Sequence, residues 1–373
     1  MKILYVYSDK PAWKFPPEQV EWNCAEWRCA IFERAFNDSS NHKARMVYIG
    51  DWADGKADED CVWADLIILQ RNVFGSAMMK MLEWRIRGKP VAIDVDDAYH
   101  LMPRLVNAYS WWIEGKSFTK SGRPVIVKEK PYEQLIQSVK ACDGLTTPSY
   151  ILANDWLEWT DKVYHVPNYP DIKMYHFEEH IQSDTFYIGW GGSQSHLESW
   201  KKSNIIPALR TVAKENDDVR VLIVGDKRVY DLVNLKKHAD FTPYVTHDKW
   251  HTILKQFDIG LVVLAQQYDR RRSWIKAVEY LLMGIPWVGT NYPIYGGLEK
   301  YGITVENTYR EWHDGLTEVV QNYGKYKERA EEGKEYIIKH LDIRKNLDKV
   351  IESYQSIIDN FNEEYKNEHE IQS

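Results

Sequence analysis

The stretch YIGWGGSQSHLESW, residues 187–200, opens a second run of alternating strands and helices, and so decides the fold. A short apolar strand runs into two adjacent glycines, then small hydroxyl residues, a histidine and a helix-like segment. Gly191 and Gly192 allow close backbone approach to a ligand. The helix start offers N–H groups and a positive dipole end to an anion, and Ser193, Ser195 and His196 add donors. An ordinary βα turn uses glycine as well. The stretch is not the G-x-G-x-x-G dinucleotide fingerprint, because Gln194 stands where the third glycine would fall.

Upstream, KILYVYS, ARMVYIG, DLIILQR, KPVAIDV and DGLTTP read as strands. Between them lie PEQVEWNCAEWRCAIFERAF, SAMMKMLEWRIRG and YEQLIQSVKAC, which read as helices. In the first of these, Val20, Cys24, Trp27, Ile31 and Ala35 recur at spacings of three and four and share one face. Downstream, TFYIGWGG, VRVLIVGD, DIGLVVLA and IPWVGTN are strands, while SNIIPALRTVAKEN, HDKWHTILKQF and SWIKAVEYLLMG are helices. Such alternation means a parallel sheet covered on both faces, here twice over. The expected divisions are a Rossmann-like domain over 1–168, a linker over 169–184, a second Rossmann-like domain over 185–330, and charged helices over 331–373 that pack back towards the first domain. Ligands bind outside the carboxyl ends of such strands. Two sheets facing a deep interdomain cleft would suit an enzyme that joins two substrates.

At 373 residues the chain is long for one core, and its 44% hydrophobic content is that of a soluble protein. No stretch reaches the length of a membrane span, and MKILYVYSDK reads as a first strand rather than a signal peptide, so a cytoplasmic location is expected. Cys24, Cys29, Cys61 and Cys142 lack metal or disulfide spacing and read as free thiols. A net charge of −7 argues against a protein that coats nucleic acid. Sixteen tryptophans are many, and several fall where loops belong, so a few could line a cleft.

Three further stretches carry chemistry. In DRRRSWIKAVEYLLMGIPWVGTNYPIYGG, residues 269–297, Ser273, Lys276 and Glu279 recur every third residue behind three arginines. Cations and a hydroxyl at a helix start can clamp a pyrophosphate, and an acidic residue one turn on can accept from ribose hydroxyls. In IDVDDAYHLMP, residues 93–103, Asp94, Asp96 and Asp97 crowd ahead of His100. They read as a D-x-D metal motif, as Asp97 and His100 facing an acceptor, or as loop caps. In AYSWWIEGKSFTKSGRPVIVKEK, residues 108–130, Trp111, Trp112 and Phe118 interleave with Lys116, Lys120, Arg123, Lys128 and Lys130. Aromatic rings beside cations suit single-stranded nucleic acid or an anionic glycan. A surface hairpin with ordinary lysines is the plain alternative.

Taken together, these stretches resemble the GT-B class of nucleotide-sugar-dependent glycosyltransferases, in particular the family 4-like group. IGWGGSQSHL is similar to the opening loop of their C-terminal domain, and SWIKAVEYLLMGIPWVGTNYPIYG to their donor-binding helix with its adjoining strand and loop. VPNYPD is similar to their interdomain joint, and AEWRCAIFERAF and IDVDDAYHLMP to elements of the N-domain. The resemblance implies retaining transfer of a glucose-type hexosyl group from a UDP-linked sugar to an acceptor hydroxyl, with no obligatory metal or cofactor. It also implies that Glu279 binds the ribose, that Arg272, Ser273 and Lys276 contact the diphosphate, and that Gly191, Gly192, Ser193 and His196 line the donor phosphate or sugar. Asp97 or His100 would act as base or orient the acceptor, with Trp13, Trp111, Trp112 and Lys116 holding it. Two features depart from the family. Arg271 stands eight positions before Glu279, where many members carry a second glutamate, and the opening loop lacks the usual Arg/Lys pair, with His196 near the lysine position. The acceptor could be a glycan, a small molecule or hydroxymethylated DNA. A nucleotide-sugar-binding protein without turnover and a sugar-nucleotide epimerase are competing readings.

Overall fold

The computed structural model describes residues 1–10, 24–106, 108–119, 121–175 and 185–370. The chain divides into two units: Met1–Met102, Asn107–Asp171 and Ile343–Ser373 form the first, and Pro103–Val106 with Ile172–Asp342 the second.

In chain order the first unit's strands are β1 (Lys2–Tyr7), β2 (Lys43–Tyr48), β3 (Leu66–Gln70), β4 (Val91–Asp94), the short β5 (Lys116–Phe118) and β6 (Pro124–Ile126), β7 (Gly144–Thr147) and β8 (Val163–His165). β5 and β6 form a separate antiparallel hairpin. The other six make one sheet, ordered β2-β1-β3-β4-β7-β8, with every neighbouring pair parallel. Its central strands are apolar at successive positions because both faces are covered; all five residues of β3 are buried.

The second unit holds β9 (Phe186–Gly192), β10 (Val219–Gly225), β11 (Ala239–Pro243), β12 (Ile259–Val262), β13 (Trp287–Thr290) and β14 (Ile303–Val305). Their order is β11-β10-β9-β12-β13-β14, again all parallel. Counted from β9 this is the 3-2-1-4-5-6 order of the Rossmann fold. Strand order reverses between β9 and β12, and in the first unit between β1 and β3. The crevice outside the carboxyl ends of two such strands is where doubly wound sheets bind ligands.

Two elements differ from the periodicity reading. The helix expected over 17–36 is described from Cys24 onward, and Glu26–Ala30 form a π-turn ahead of the α-helix Ile31–Asp38. All five residues of that turn are buried, so no single apolar face exists there. Burial is tolerated because each nitrogen of the Arg28 guanidinium donates a hydrogen bond, to Asp94, the Val166 carbonyl or Asn168. The C-terminal helices also split between units. Tyr323–His340 belongs to the second, where Lys327 Nζ caps the Gly284 carbonyl at 2.6 Å. Ile343–Glu370 belongs to the first. There Tyr354 stacks on Phe36 at 6.0 Å and Arg344 pairs with Asp171 and Asp38.

Candidate functional site

Gly191 and Gly192 form the last two residues of β9. A Cβ on Gly191 would lie 2.2 Å from Trp250 Cη2, and one on Gly192 would lie 2.5 Å from Trp190 Cζ2. The missing side chains therefore make room for indole rings laid against the strand. Beyond them Ser193 is extended, Gln194–His196 form a 3-10 turn, and the helix Leu197–Lys202 follows. Ser193 Oγ and Ser195 Oγ are 3.0 Å apart.

The segment after β12 reaches this loop through Asp269, which is fully buried. Its Oδ2 accepts from Ser199 Oγ at 2.6 Å and from the backbone N–H groups of Ala265 and Gln266 at 3.0 and 3.2 Å. Its Oδ1 accepts from Arg272 Nε at 3.0 Å. Held at that end, the guanidinium lies 4.9 Å from the Tyr268 ring centroid and donates from Nη2 to Ser195 Oγ at 2.9 Å. The helix Ile275–Leu282 then presents Lys276, whose ammonium donates to the Gly191 carbonyl and sits 5.4 Å from the centroid of Trp190. Ser273 precedes this helix, while Lys276 and Glu279 lie within it at an i, i+3 spacing.

The site crowds positive charge. Burial pulls the Lys276 ammonium below the usual lysine range, Glu279 acts against that, and Arg272 adds to it. His196 is 6% exposed, and its proton affinity falls well below normal through burial and repulsion from Arg272 and Lys276. Its ring bonds to the Val263 carbonyl, while Nδ1 is buried without a hydrogen-bond partner. Glu279, also 6% exposed, is pushed up by burial and partly offset by Lys276 and by a hydrogen bond from Trp250. Gly191, Ser195, His196, Arg272, Lys276 and Glu279 thus meet at the β9/β12 switch point. Asp269, Ser199 and Trp250 complete the arrangement, and the sequence reading assigned none of them a role.

In the first unit, Asp94 and Asp96 take different arginine partners. Asp94 takes two bonds from Arg28 and one from Thr146 Oγ1 at 2.6 Å. Asp96 lies 3.4 Å from Arg71, which also pairs with the buried Asp9. Burial and the Asp96 charge raise the Asp9 carboxyl, and Arg71 opposes them. Arg71 itself stands in the left-handed backbone region, with φ of 38°. Asp97 precedes the 3-10 turn Tyr99–Leu101 that carries His100. His100 Nε2 lies 2.9 Å from Asp155 Oδ2, and its ring meets Trp156 and Trp159 edge-on. Nothing in the spacing pointed to Asp155, which arrives from the helix Tyr150–Trp156. Trp112 is buried against Tyr99 at 4.4 Å and Phe74 at 5.4 Å, and Trp111 meets Phe74 at 5.7 Å. Lys116 projects from β5 and pairs with Glu114 at 2.7 Å. Trp13 lies outside the described residues. Among the described residues no group of three or more His, Cys, Asp or Glu is placed to hold a metal ion, and no helix is long and apolar enough to cross a membrane.

No protein-family model matches the chain, and no curated protein matches it. Solved structures do. Sucrose-phosphate synthase from Thermosynechococcus elongatus is 11% identical, with a TM-score of 0.62 over 99% of both chains. A mutant of S. aureus TarM in complex with UDP, fondaparinux and α-GlcNAc-glycerol is 15% identical, with a TM-score of 0.55 over 80% of this chain. The chain spans 58% of that TarM chain. UDP-GlcNAc 2-epimerase from Neisseria meningitidis, bound to UDP-GlcNAc, is 12% identical, with a TM-score of 0.54 over 95% of this chain and 100% of its own. At such identities the likeness is one of fold: the chain has two Rossmann-like domains of the GT-B type.

Proposed function

We propose that the chain is a glycosyltransferase that moves a glucose-type hexosyl group from a UDP-linked sugar to an acceptor hydroxyl, with retention and without an obligatory metal. One observation carries the reading: Arg272, Lys276 and His196 are brought together at the β9/β12 switch point, where burial and the Arg272 charge lower the proton affinity of Lys276, and burial, Arg272 and Lys276 lower that of His196. A diphosphate bound there would relieve that repulsion. As the sugar–oxygen bond breaks, Lys276 and Arg272 would stabilise the charge that develops on the leaving phosphate, from positions already fixed by Gly191 and Asp269. Glu279, one turn along the helix from Lys276, would accept from the ribose hydroxyls. His196 and Ser193 would line the phosphate or sugar. Asp97 and His100 are the first unit's candidates for handling the acceptor hydroxyl, as base in an inverting reaction or by orientation in a retaining one.

Epimerisation of a nucleotide sugar is the second reading, favoured by the likeness to the Neisseria meningitidis epimerase along that enzyme's full length. It needs no acceptor, and that difference separates the two.

The test has two stages. A thermal-shift panel of UDP, GDP, ADP and dTDP sugars identifies the donor, because only a tight ligand raises the melting temperature. Calorimetry then compares the parent with Lys276→Ala and Glu279→Ala. Near-parental donor binding by both variants would remove the site. A new sugar nucleotide formed without acceptor would favour the epimerase, and tight binding without turnover would favour a binding protein.

A further inference from the structure

Apart from Lys116, which the family resemblance offers to the acceptor, the β5–β6 hairpin has no role in the chemistry above, yet its composition is unusual for a surface loop. Its register pairs Lys116 with Ile126, Ser117 with Val125 and Phe118 with Pro124. Side chains directly opposite, or two apart, share a face, so Lys116, Phe118, Pro124 and Ile126 line one side. Phe118 is 72% exposed and Ile126 73%. The turn between the strands is built: Thr119 N–H donates to the Arg123 carbonyl and Gly122 N–H to the Thr119 carbonyl, both at 2.8 Å. These bonds close the hairpin at its tip, with Phe118, Pro124 and Ile126 exposed on one side. Positive charge concentrates in the same segment. Residues 114–130 carry a net charge of +3 in a chain whose total is −7. Neither Arg123 nor Lys128 has an ion pair among the described residues, and both are exposed.

We propose that this hairpin docks the protein on an anionic lipid bilayer. Phe118, Pro124 and Ile126 enter the boundary between headgroups and acyl chains, and Lys116, Arg123 and Lys128 meet the lipid phosphates. Apolar insertion beside basic residues is the physical signature of interfacial attachment. The aliphatic partners decide against single-stranded nucleic acid, since Ile126 and Pro124 offer no π-face on which a base could stack. Attachment of this kind requires no spanning helix, and it is independent of the donor chemistry.

The experiment is flotation of the full chain with vesicles of phosphatidylcholine alone or with about a third phosphatidylglycerol, at low and high salt, with no nucleotide sugar present. Binding is expected only to the anionic vesicles and should weaken with salt. The double variant Phe118→Ser/Ile126→Ser should lose about tenfold or more in partitioning. Arg123→Gln/Lys128→Gln should lose on the order of fivefold for each charge removed. All four side chains are exposed, so the melting temperature should not move and misfolding is checked directly. Failure of the parent protein to float, or equal flotation by the apolar variant, overturns the proposal. Capture of a single-stranded oligonucleotide with no vesicle binding overturns it too.

Discussion

Arg272 Nε donates to Asp269 Oδ1 across 3.0 Å, and the opposite oxygen of that carboxylate gathers Ser199, Ala265 and Gln266. Asp269 is fully buried and points its charge at the arginine rather than at solvent. It is therefore a positioning residue, aiming Arg272 at the Ser193–Ser195 loop. Asp269→Asn keeps the shape and removes the charge. Since a hydrogen bond to a charged group contributes about 1.5–3 kcal/mol, UDP affinity should fall about ten- to hundredfold by calorimetry. The Asp269→Asn/Arg272→Gln pair should cost little more than Arg272→Gln alone. Additive losses would mean that Asp269 acts through something other than the arginine.

Proton linkage gives a second expectation. Burial and Arg272 depress the free-state Lys276, so it loses its proton at lower pH than an ordinary lysine. A bound diphosphate would favour the ammonium and restore part of that loss. Binding must then take up a proton wherever the free protein is deprotonated and the complex is not, and affinity must fall as pH rises through that window. Calorimetry from about pH 7 to about pH 10, in buffers of differing ionisation enthalpy, reads the uptake directly. Lys276→Arg should flatten the profile, because a guanidinium stays charged throughout. A parental profile that is already flat would rule out Lys276 as a phosphate ligand.

Gly191 tests how the strand shapes the site. A methyl group there meets Trp250 at 2.2 Å, so Gly191→Ala must push the indole off the strand. Overpacking of this kind costs about 1–3 kcal/mol. It should also pull the Trp250 N–H away from Glu279 and weaken nucleoside binding. In a Trp250→Ala background the added methyl group has space, and Gly191→Ala should then be close to neutral in urea denaturation. Equal destabilisation in both backgrounds would refute the contact.

The parts of the molecule that the sequence made legible are those whose physics is local. β3 and β12 read as strands because parallel strands covered on both faces are apolar at successive positions. The helix Ile275–Leu282 ends at Gly284, whose φ of 62° is the left-handed value its position calls for. β11, with the sequence ADFTP, and the three-residue β14 escaped notice, since neither carries an apolar pattern long enough to stand out. The site divides in the same way. Lys276 and Glu279 are three apart on one helix, so their kinship is visible in the chain. Asp269 and Ser199 are seventy residues apart, Trp250 comes from another helix, and Asp155 meets His100 only after β7 is in place. Their roles come from topology, which residue spacing does not encode. The same holds for Asp94, whose closeness to Asp96 looks like shared chemistry in the chain, whereas in the fold Asp94 pairs with Arg28 and Asp96 with Arg71.

The Arg28–Asp94 pair gives the sharpest stability prediction. Both residues are 2% exposed, and their partners are internal: Nε and Nη2 reach the two carboxylate oxygens, Nη1 reaches Val166 and Asn168, and Thr146 Oγ1 donates a second bond to Oδ2. The desolvation cost of two such charges is offset only while the geometry is complete. Arg28→Ala leaves Asp94 buried and uncompensated, which should destabilise the protein by about 3–5 kcal/mol. Replacing both partners, as Arg28→Met/Asp94→Leu, removes the charges together and should recover most of that loss. If the pair instead stabilises the fold as a net attraction, the double variant will be no better than Arg28→Ala alone. Urea denaturation of the three proteins, followed by far-ultraviolet circular dichroism, distinguishes the two outcomes.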